Sequence, residues 1–521
     1  MDRSEAGGRR IVRLTWAYKR KRDGRLKARL CVQGCSQQPG IDYDQTFCGT
    51  LRGTSLRGLA AVAARLGLSM HRWDFVAAFL QGQLEDGEVV YCHPPPGYEK
   101  EYVDENGRPL ICEIRKPVYG MAQAGRRWQR TLYPWLREYG FTQLHSDPNV
   151  FVLRRNQETV VLGCYVDDLF TLHSHEGKGS AYDEFIGALR ERFEVEDEGE
   201  ISDLLNVDIA REGDDVVLRQ TSYIDRMVAT YLPNGVTDAF TAEMPPATPE
   251  LPQLVESAVL SDDTPAPDDL RSYQAIVGSL LYAATHSRPD IALAVSLLSR
   301  AMGKPTPQLY AAALRVVCYL YRHRDVGLRY TPTTRPLHGY SDSDWAVRHS
   351  TSGFVFMYST AAVSWGSKKQ PTVALSSCEA EIVAASEAAK EAVHLSRFFG
   401  ELDASGDQPV DMAVDNQSAI HCSYNDEQHK RMKHVERRHF FVRECVENHQ
   451  LRVPFVRSAD NLADFFTKPL PASVFFPMRD LIMNVRTSAS VKEPCPSSVH
   501  GGDYGQIATD TGTPVHGKGA P

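Results

Sequence analysis

The sequence predicts a multidomain protein of mixed α+β and α/β class, on three observations. At 521 residues the chain has room for roughly two to four domains. From Val160 to Leu172 an apolar, β-prone run carries two adjacent acids, Asp167 and Asp168, which reads as strand, tight turn, strand. From Leu337 to Asp464, strand-like and helix-like stretches succeed one another with an acid at four of the junctions. A hydrophobic fraction of 42% and an aromatic fraction of 9% supply the core material.

The acid pair poses a physical problem. Burying an unpaired carboxylate in an apolar strand is strongly unfavourable, and a bound divalent cation offsets that cost. An exposed hairpin tip with solvated acids is the plainer account of Asp167 and Asp168 alone. The metal account needs a third carboxylate from elsewhere.

A net charge of −8 argues against a uniformly basic nucleic-acid binder. Charge is uneven, however: Arg9 to Arg29 and Lys430 to Arg443 are basic, and Glu191 to Asp215 is acidic and reads as a solvated face. Local fields attract a polyanion whatever the total charge. The 11 cysteines include no C-x-x-C pair, so neither a zinc site nor a disulfide framework is indicated, and a reducing compartment fits. The Arg-rich N-terminus lacks the apolar core of a secretion signal, and no apolar run nears the roughly 18–20 residues that span a bilayer. A soluble protein that is not secreted is expected.

In chain order, residues 9–33 alternate basic and apolar residues around Asp23-Gly24, a turn signal between strand-like runs. Such a basic hairpin either contacts phosphate or simply faces solvent. Ser55 to Leu68 reads as a helix with Leu56, Leu59, Val62, Ala63 and Leu66 on one face. Asp74 stands where an apolar segment passes from strand to helix, a place where a lone Asp is more often a cap than a ligand. Phe79 reads most simply as core. Met244 to Asp269, rich in Pro, Asp, Ser and Thr, reads as a linker. Ser272 to Tyr321 reads as mostly helical. From Ser488 onward the composition cannot bury a core, and disorder is expected.

Several ordered blocks carry a resemblance. They are Lys27-Ala28-Arg29-Leu30, Gly40-Ile41-Asp42-Tyr43, Asp74 with Ala78-Phe79-Leu80-Gln81-Gly82, Pro94-Pro95-Pro96-Gly97-Tyr98, Tyr119-Gly120-Met121-Ala122-Gln123-Ala124, Tyr165-Val166-Asp167-Asp168, Tyr273 to Tyr282 and Arg288-Pro289-Asp290-Ile291. In this order they resemble the reverse transcriptase of copia-type LTR retrotransposons (Pseudoviridae), over roughly residues 10–475. The resemblance implies a right-hand polymerase of fingers, palm and thumb over 1–243, with its catalytic core at about 10–215. After it come a linker (244–270), a helical connection (271–332), a ribonuclease H-like domain (333–475) and a disordered tail (476–521).

The implied chemistry is template-directed nucleotide addition with two Mg²⁺ or Mn²⁺ ions per active site. Hard cations need oxygen ligands on rigid elements. Asp74 and Asp167 would bind both metals and Asp168 would be less directly engaged. Phe79 would be the steric gate against a ribose 2′-hydroxyl. Gln123 would line the incoming nucleotide, and Lys27 and Arg29 would meet its phosphates. The sequence departs from the family at Asp44 to Thr50, at Ala122 in place of Lys and at Gly125 in place of Pro. Losing that Lys removes a positive charge near nucleotide or template.

The junction acids of 337–464 resemble the ribonuclease H fold, which hydrolyses RNA paired to DNA with two metals and four carboxylates. Asp342, Glu381, Asp415 and Asp464 are assigned as these ligands. Glu379 is the alternative to Glu381, and Asp344 is read as a neighbour. Lys368-Lys369-Gln370 and Lys430 to Arg438 are candidates for the hybrid backbone, with binding that weakens in salt. His434 and His439 are expected to pack or to bind phosphate.

The implied partners are an RNA template, a DNA primer, RNA–DNA hybrid and dNTPs, without a membrane. A parent polyprotein with integrase and capsid is also implied, in a cytoplasmic virus-like particle with the nucleus as a second location. The competing reading is a catalytically silent retroelement relic that at most binds nucleic acid.

Overall fold

In the computed structural model the described residues are 1–20, 24–237, 239–345, 349–406, 408–424 and 436–486. The two expected strands of the basic hairpin pair antiparallel, Leu14–Arg20 with Leu26–Val32 and Arg20 opposite Leu26; Asp23 of the expected turn lies outside the described residues. A small sheet of Ile11–Val12, Val90–Cys92 and Cys112–Ile114 supports its base. The helix Gly53–Leu66 buries Leu56, Leu59, Val62 and Ala63. Leu66, expected on the same face, is 48% exposed. It lies in the final turn, where Gly67 takes a left-handed conformation at φ 64° and ends the helix.

A six-stranded sheet follows, in spatial order Val195–Glu200, Ser69–Phe75, Asp168–His173, Glu158–Tyr165, Val150–Arg155, Thr142–Gln143. The neighbouring strands Ser69–Phe75 and Asp168–His173 carry Asp74 and Asp168, and Asp167 lies in the turn that enters the latter. Part of the acidic stretch forms its edge strand, with Glu196, Asp197 and Glu198 exposed as a solvated face requires, but Asp215 at its end is buried and paired with Arg329 at 2.8 Å, so the solvated face does not extend that far. The helices Ala124–Tyr139 and Ala181–Arg192 cover one face through Trp128, Leu132, Phe185 and Leu189.

Beyond Glu200 the chain builds a second sheet from Asp203–Leu204, Val207–Glu212, Asp215–Arg219 and the distant Leu328–Tyr330. The helices Pro267–His286, Ala292–Ser299 and Pro307–Arg322 realise the expected helical stretch. The expected linker is not simply extended. It contains the helix Leu251–Leu260, whose Leu251, Val255 and Ala258 are buried because they recur at helical spacing. The tail expected from residue 476 also needs correction. The helix Ala472–Met483 buries Phe475, Met478, Ile482 and Met483, while the stretch from Ser488 onward lies outside the described residues. No described helix is long and apolar enough to cross a membrane.

The Arg288-Pro289-Asp290-Ile291 block has a packing explanation. Arg288 and Asp290 pair at 2.6 Å with both side chains fully buried. The Tyr319 hydroxyl donates to Asp290 Oδ2 at 2.8 Å, and Arg288 Nη1 donates to His323 O at 2.9 Å. Removing one partner strands a desolvated charge. Asp290→Ala should therefore cost ~3–5 kcal/mol of stability, read as a lowered denaturation midpoint in urea.

The last unit is a five-stranded sheet in spatial order Ala361–Lys369, Thr351–Tyr358, His338–Asp344, Val410–Ala413, Leu451–Arg452. The first two strand pairs are antiparallel and the last two parallel. The helix Ser377–Glu401 packs on it through Ile382, Ala385, Ala389 and Leu395. This is a ribonuclease H-like arrangement. One continuous apolar core runs from Leu59 and Phe170 of the first unit, through Ile276 and Val316, to Val355 and Phe398 of the last.

Candidate active sites

The first cluster is built by strand pairing. Asp168 lies directly opposite Asp74 across the Ser69–Phe75 and Asp168–His173 pair, a position where side chains are close neighbours. The turn between Tyr165 and Asp168 is tight because Val166 adopts a left-handed φ of 54°. It is pinned by two hydrogen bonds: Trp128 Nε1 donates to Val166 O at 2.8 Å, and Phe75 N donates to Asp167 O at 2.8 Å. Asp74 and the Asp167-Asp168 hairpin are therefore adjacent, though 93 residues separate the first two in sequence.

Burial, with the Asp168 and Asp167 charges added, pushes the Asp74 carboxyl up to about 6. Burial also raises Asp167, against the Tyr119 hydroxyl that donates to its Oδ2 at 3.1 Å and Arg29 Nη2 at 3.5 Å. The other oxygen, Asp167 Oδ1, is buried without a hydrogen-bond partner. Asp168 differs: its Oδ1 accepts from Arg72 Nε at 3.0 Å and from Arg72 Nη2 at 2.7 Å. Arg72, two residues before Asp74 and so on its face of the strand, also binds Asp203 O at 3.0 Å.

Arg72 and Tyr119 are functional neighbours that sequence reasoning passed over. The first was legible from strand alternation. The second lies in the Tyr119 to Ala124 block, where nothing in the sequence marks its hydroxyl as a partner of Asp167. Gly120 fixes Tyr119 in place: with φ 87°, it packs so tightly that a Cβ there would run into Val32 O. The Tyr119 ring lies tilted against Phe79, centroids 4.6 Å apart, and 4.5 Å below the Arg29 guanidinium. Phe79 thus stands half-buried beside the acids, and Lys27 is close enough for its charge to favour ionised Asp74 and Asp167. Gln123 must be corrected. It is 0% exposed, accepts from Gln37 Nε2 at 3.1 Å and donates to Asp42 O at 3.1 Å. Its carboxamide is consumed in tying a loop to the helix Ala124–Tyr139, so it does not line an open nucleotide site. Gly125 is explained by Cys48, whose Sγ would lie 3.1 Å from an added Cβ.

The second cluster is built by junctions. Asp342 is on the strand His338–Asp344, Asp415 follows the strand Val410–Ala413, and Asp464 sits in the short helix Leu462–Phe466. Asn461 anchors that helix: its Nδ2 donates to Ser341 O at 3.2 Å and its Oδ1 accepts from Ala463 N at 3.1 Å. Gly353 gives it room, since a Cβ there would stand 2.6 Å from Thr467 Cγ2. Among the described residues, Asp342, Asp415 and Asp464 form a group whose ligand atoms lie within 4.8 Å of one another. Asp74, Asp167 and Asp168 do not form such a group, with Asp168 drawn to Arg72.

Asp342 is 4% exposed and raised by burial and by Asp464, while Thr467 Oγ1 donates to its Oδ2 at 2.5 Å. Burial, then Asp342 and Asp415, pushes Glu381 up to about 9. Ser343 N donates to Glu381 Oε1 at 3.3 Å, and Oε2 is buried without a partner. Glu379 instead accepts from Leu375 N at 2.7 Å at the start of its own helix, so its carboxylate serves as a cap. Asp464 pairs with Lys468 Nζ at 2.8 Å, leaving Oδ1 buried and unpartnered. Asp344 is raised by burial and lies outside the triad.

Gln370, expected near a hybrid backbone, is buried and donates to Ser352 Oγ at 3.0 Å and Ala380 O at 2.9 Å. Lys368 and Lys369 are exposed. His434, the side chain of His439 and the basic stretch Lys430 to Arg438 lie outside the described residues and side chains.

Raised carboxyls have a thermodynamic consequence. Unfolded Glu ionises near 4.5, whereas folded Glu381 holds its proton to about 9. The folded protein therefore binds more protons in this window, and stability falls as pH rises through it. A metal-free sample should lose thermal stability from pH 5 to pH 9, and millimolar Mn²⁺ should restore more of it at pH 9 than at pH 5.

Residues 4–248 match the family described as Reverse transcriptase (RNA-dependent DNA polymerase). The chain is 32% identical over 490 residues to the retrovirus-related Pol polyprotein from transposon TNT 1-94 of Nicotiana tabacum, covering 91% of this chain and 36% of that protein. It is 34% identical over 479 residues to the Pol polyprotein from transposon RE1 of Arabidopsis thaliana, covering 89% and 31%. The chain thus spans about a third of the length of these curated relatives. A foamy viral protease-reverse transcriptase in complex with RNA/DNA hybrid aligns over 93% of this chain and 52% of that chain, at 12% identity and a TM-score of 0.44, too loosely to place any residue. With the family match over residues 4–248 and relatives at 32–34% identity over about nine tenths of this chain, the chain belongs to the reverse transcriptase family of copia-type retrotransposon Pol polyproteins.

Proposed function

We propose that this chain extends a DNA primer on an RNA template at Asp74, Asp167 and Asp168, and hydrolyses the RNA of the resulting hybrid at Asp342, Glu381, Asp415 and Asp464. One observation carries the reading: each cluster holds buried carboxylate oxygens without a partner, Asp167 Oδ1 in the first and Glu381 Oε2 and Asp464 Oδ1 in the second. Buried oxygens of this kind are costly unless a cation meets them, so the residues fit divalent metal. Bound Mg²⁺ or Mn²⁺ would neutralise charge on phosphate oxygens and activate the attacking oxygen.

The protein's own groups do the rest. Asp74 and Asp167 offer ligand oxygens from a rigid strand pair and its pinned turn. Arg72 holds Asp168 to one side. Phe79, backed by Tyr119, sits beside the acids and would exclude a ribose 2′-hydroxyl. Arg29, now against Asp167, and Lys27 would turn to the nucleotide triphosphate. In the second cluster Thr467 and Ser343 orient Asp342 and Glu381. The setting inferred from the family is a virus-like particle in the cytoplasm, as part of a longer polyprotein.

The test is extension of a DNA primer on poly(rA) with Mg²⁺ or Mn²⁺, alongside release of labelled RNA from a hybrid. Both activities support the reading. No incorporation by folded protein selects the catalytically silent alternative.

A further inference from the structure

The second cluster holds a cation of the protein's own. Lys468 stands four residues after Asp464, and its Nζ lies 2.8 Å from Asp464 Oδ2. Lys468 N also donates to Asp464 O at 3.4 Å, so the backbone sets the two side chains next to each other. Asp464 belongs to the triad whose ligand atoms lie within 4.8 Å of one another. Burial works against the Lys468 charge, and Asp464, Asp342 and Asp415 together outweigh that cost. The ammonium is drawn to all three members of the triad, and it takes up an oxygen that a metal would need.

A surface ion pair at this spacing, worth little to stability, is the plainer account of the contact. Two observations set it apart. The Asp464 side chain is only 10% exposed, and its Oδ1 is buried without a partner, so the carboxylate faces the cluster and not the solvent. The Lys468 side chain is 47% exposed, and its flexible four-carbon stem can carry the ammonium elsewhere. The Arg288–Asp290 pair, fully buried on both sides, has no such freedom.

Asp344 supplies a second seat. It lies two residues beyond Asp342 on the same strand, hence on the same face and about 7 Å further along. Thr467, the residue before Lys468, lines a cavity of about 490 Å³ together with Asp344 and Arg300. Burial raises the Asp344 carboxyl, and the charges of Lys468 and Arg300 act against that rise.

We propose that Lys468 is the resident counter-ion of this cluster: its ammonium holds the Asp464 oxygen while no metal is bound, withdraws to Asp344 as a divalent ion enters, and so sets how much free metal the cluster needs to fill. The inference rests on the proposed function of the second cluster. An ammonium and a dication a few ångströms apart repel each other even in a water-like dielectric, by enough to weaken metal binding about tenfold or more. The oxygen that the ammonium holds must also be released first. The cluster therefore fills only where free Mg²⁺ or Mn²⁺ is high enough to displace Lys468. Asp344 acts through Lys468 and is a positioning residue.

The test is metal binding without substrate. The parent is the full chain carrying Asp74→Asn and Asp167→Asn, which silence the first cluster, and free Mn²⁺ is counted by its paramagnetic resonance as the ion is added. Lys468→Met should bind Mn²⁺ about tenfold or more tightly than the parent. Lys468→Gln, which keeps a polar tip, should do the same should Lys468→Met not fold. Lys468→Arg keeps the charge and should stay near the parent. Asp344→Asn should weaken binding in the parent and make no difference in the Lys468→Met background, because its effect passes through the ammonium. The half-saturating Mg²⁺ for hydrolysis of a hybrid by the chain with its first cluster intact should move in the same directions. Affinity unchanged or lowered in both Lys468→Met and Lys468→Gln overturns the counter-ion role. An equal loss from Asp344→Asn in both backgrounds overturns the second seat. A parent whose Mn²⁺ binding is indifferent to Asp342→Asn removes the functional reading and the counter-ion role with it, and is told apart by the absence of any metal held at the triad.

Discussion

Single-nucleotide incorporation on a DNA-primed RNA template is expected to fall at least about 10³-fold in Asp167→Asn and in Asp74→Asn. Neither change alters shape. The Asp167 backbone is held by Phe75 N, and the turn by Trp128, so both variants should keep their fold. Stability should even rise slightly without metal, since Asp74 is already pushed up to about 6 by burial and its acidic neighbours, and an amide removes that repulsion. Asp168→Asn should behave differently. It deprives Arg72 of the nearer of its two charged partners and should lower thermal stability as well as rate. Extension by Asp74→Asn or Asp167→Asn within about tenfold of wild type would refute the assignment of these two acids.

The second large effect separates the activities. Asp342→Asn and Glu381→Gln should each lower hydrolysis of RNA in a hybrid by at least about 10³-fold while primer extension proceeds at the wild-type rate. The grounds are the inward, desolvated position of both groups and their mutual repulsion. Glu379→Gln is the internal control. Its carboxylate only caps its helix, so the change should cost about 0.5–1 kcal/mol of stability and leave cleavage intact. Cleavage lost in Glu379→Gln and retained in Glu381→Gln would reverse the two roles.

Much of this arrangement is legible in the sequence, for identifiable reasons. Asp167 and Asp168 were conspicuous because charge inside an apolar β run is rare, and the four junction acids because each marks the end of an element. The opposition of Asp74 and Asp168 was not legible, since register depends on which strands become neighbours. Gln123 and Gln370 were misjudged for one reason: a motif position does not say whether a carboxamide faces outward or ties backbone together. The helix Leu251–Leu260 was hidden by Pro252 and the Asp, Ser and Thr around it, although Leu251, Val255 and Ala258 have helical spacing. Pro477 similarly disguised the helix Ala472–Met483, in which Phe475, Met478 and Ile482 turn inward.

The strand Leu328–Tyr330 carries a practical lesson. It pairs with Val216 to Leu218, while the Tyr330 hydroxyl donates to Ala362 O at 2.9 Å. A gene cut at residue 248, where the family match stops, would discard it. The truncated product would present a row of unsatisfied backbone amides beside Val216, Val217 and Leu218, a template for self-association. The boundary drawn by sequence similarity and the boundary drawn by hydrogen bonding are different places, and only the latter marks a piece that can be isolated.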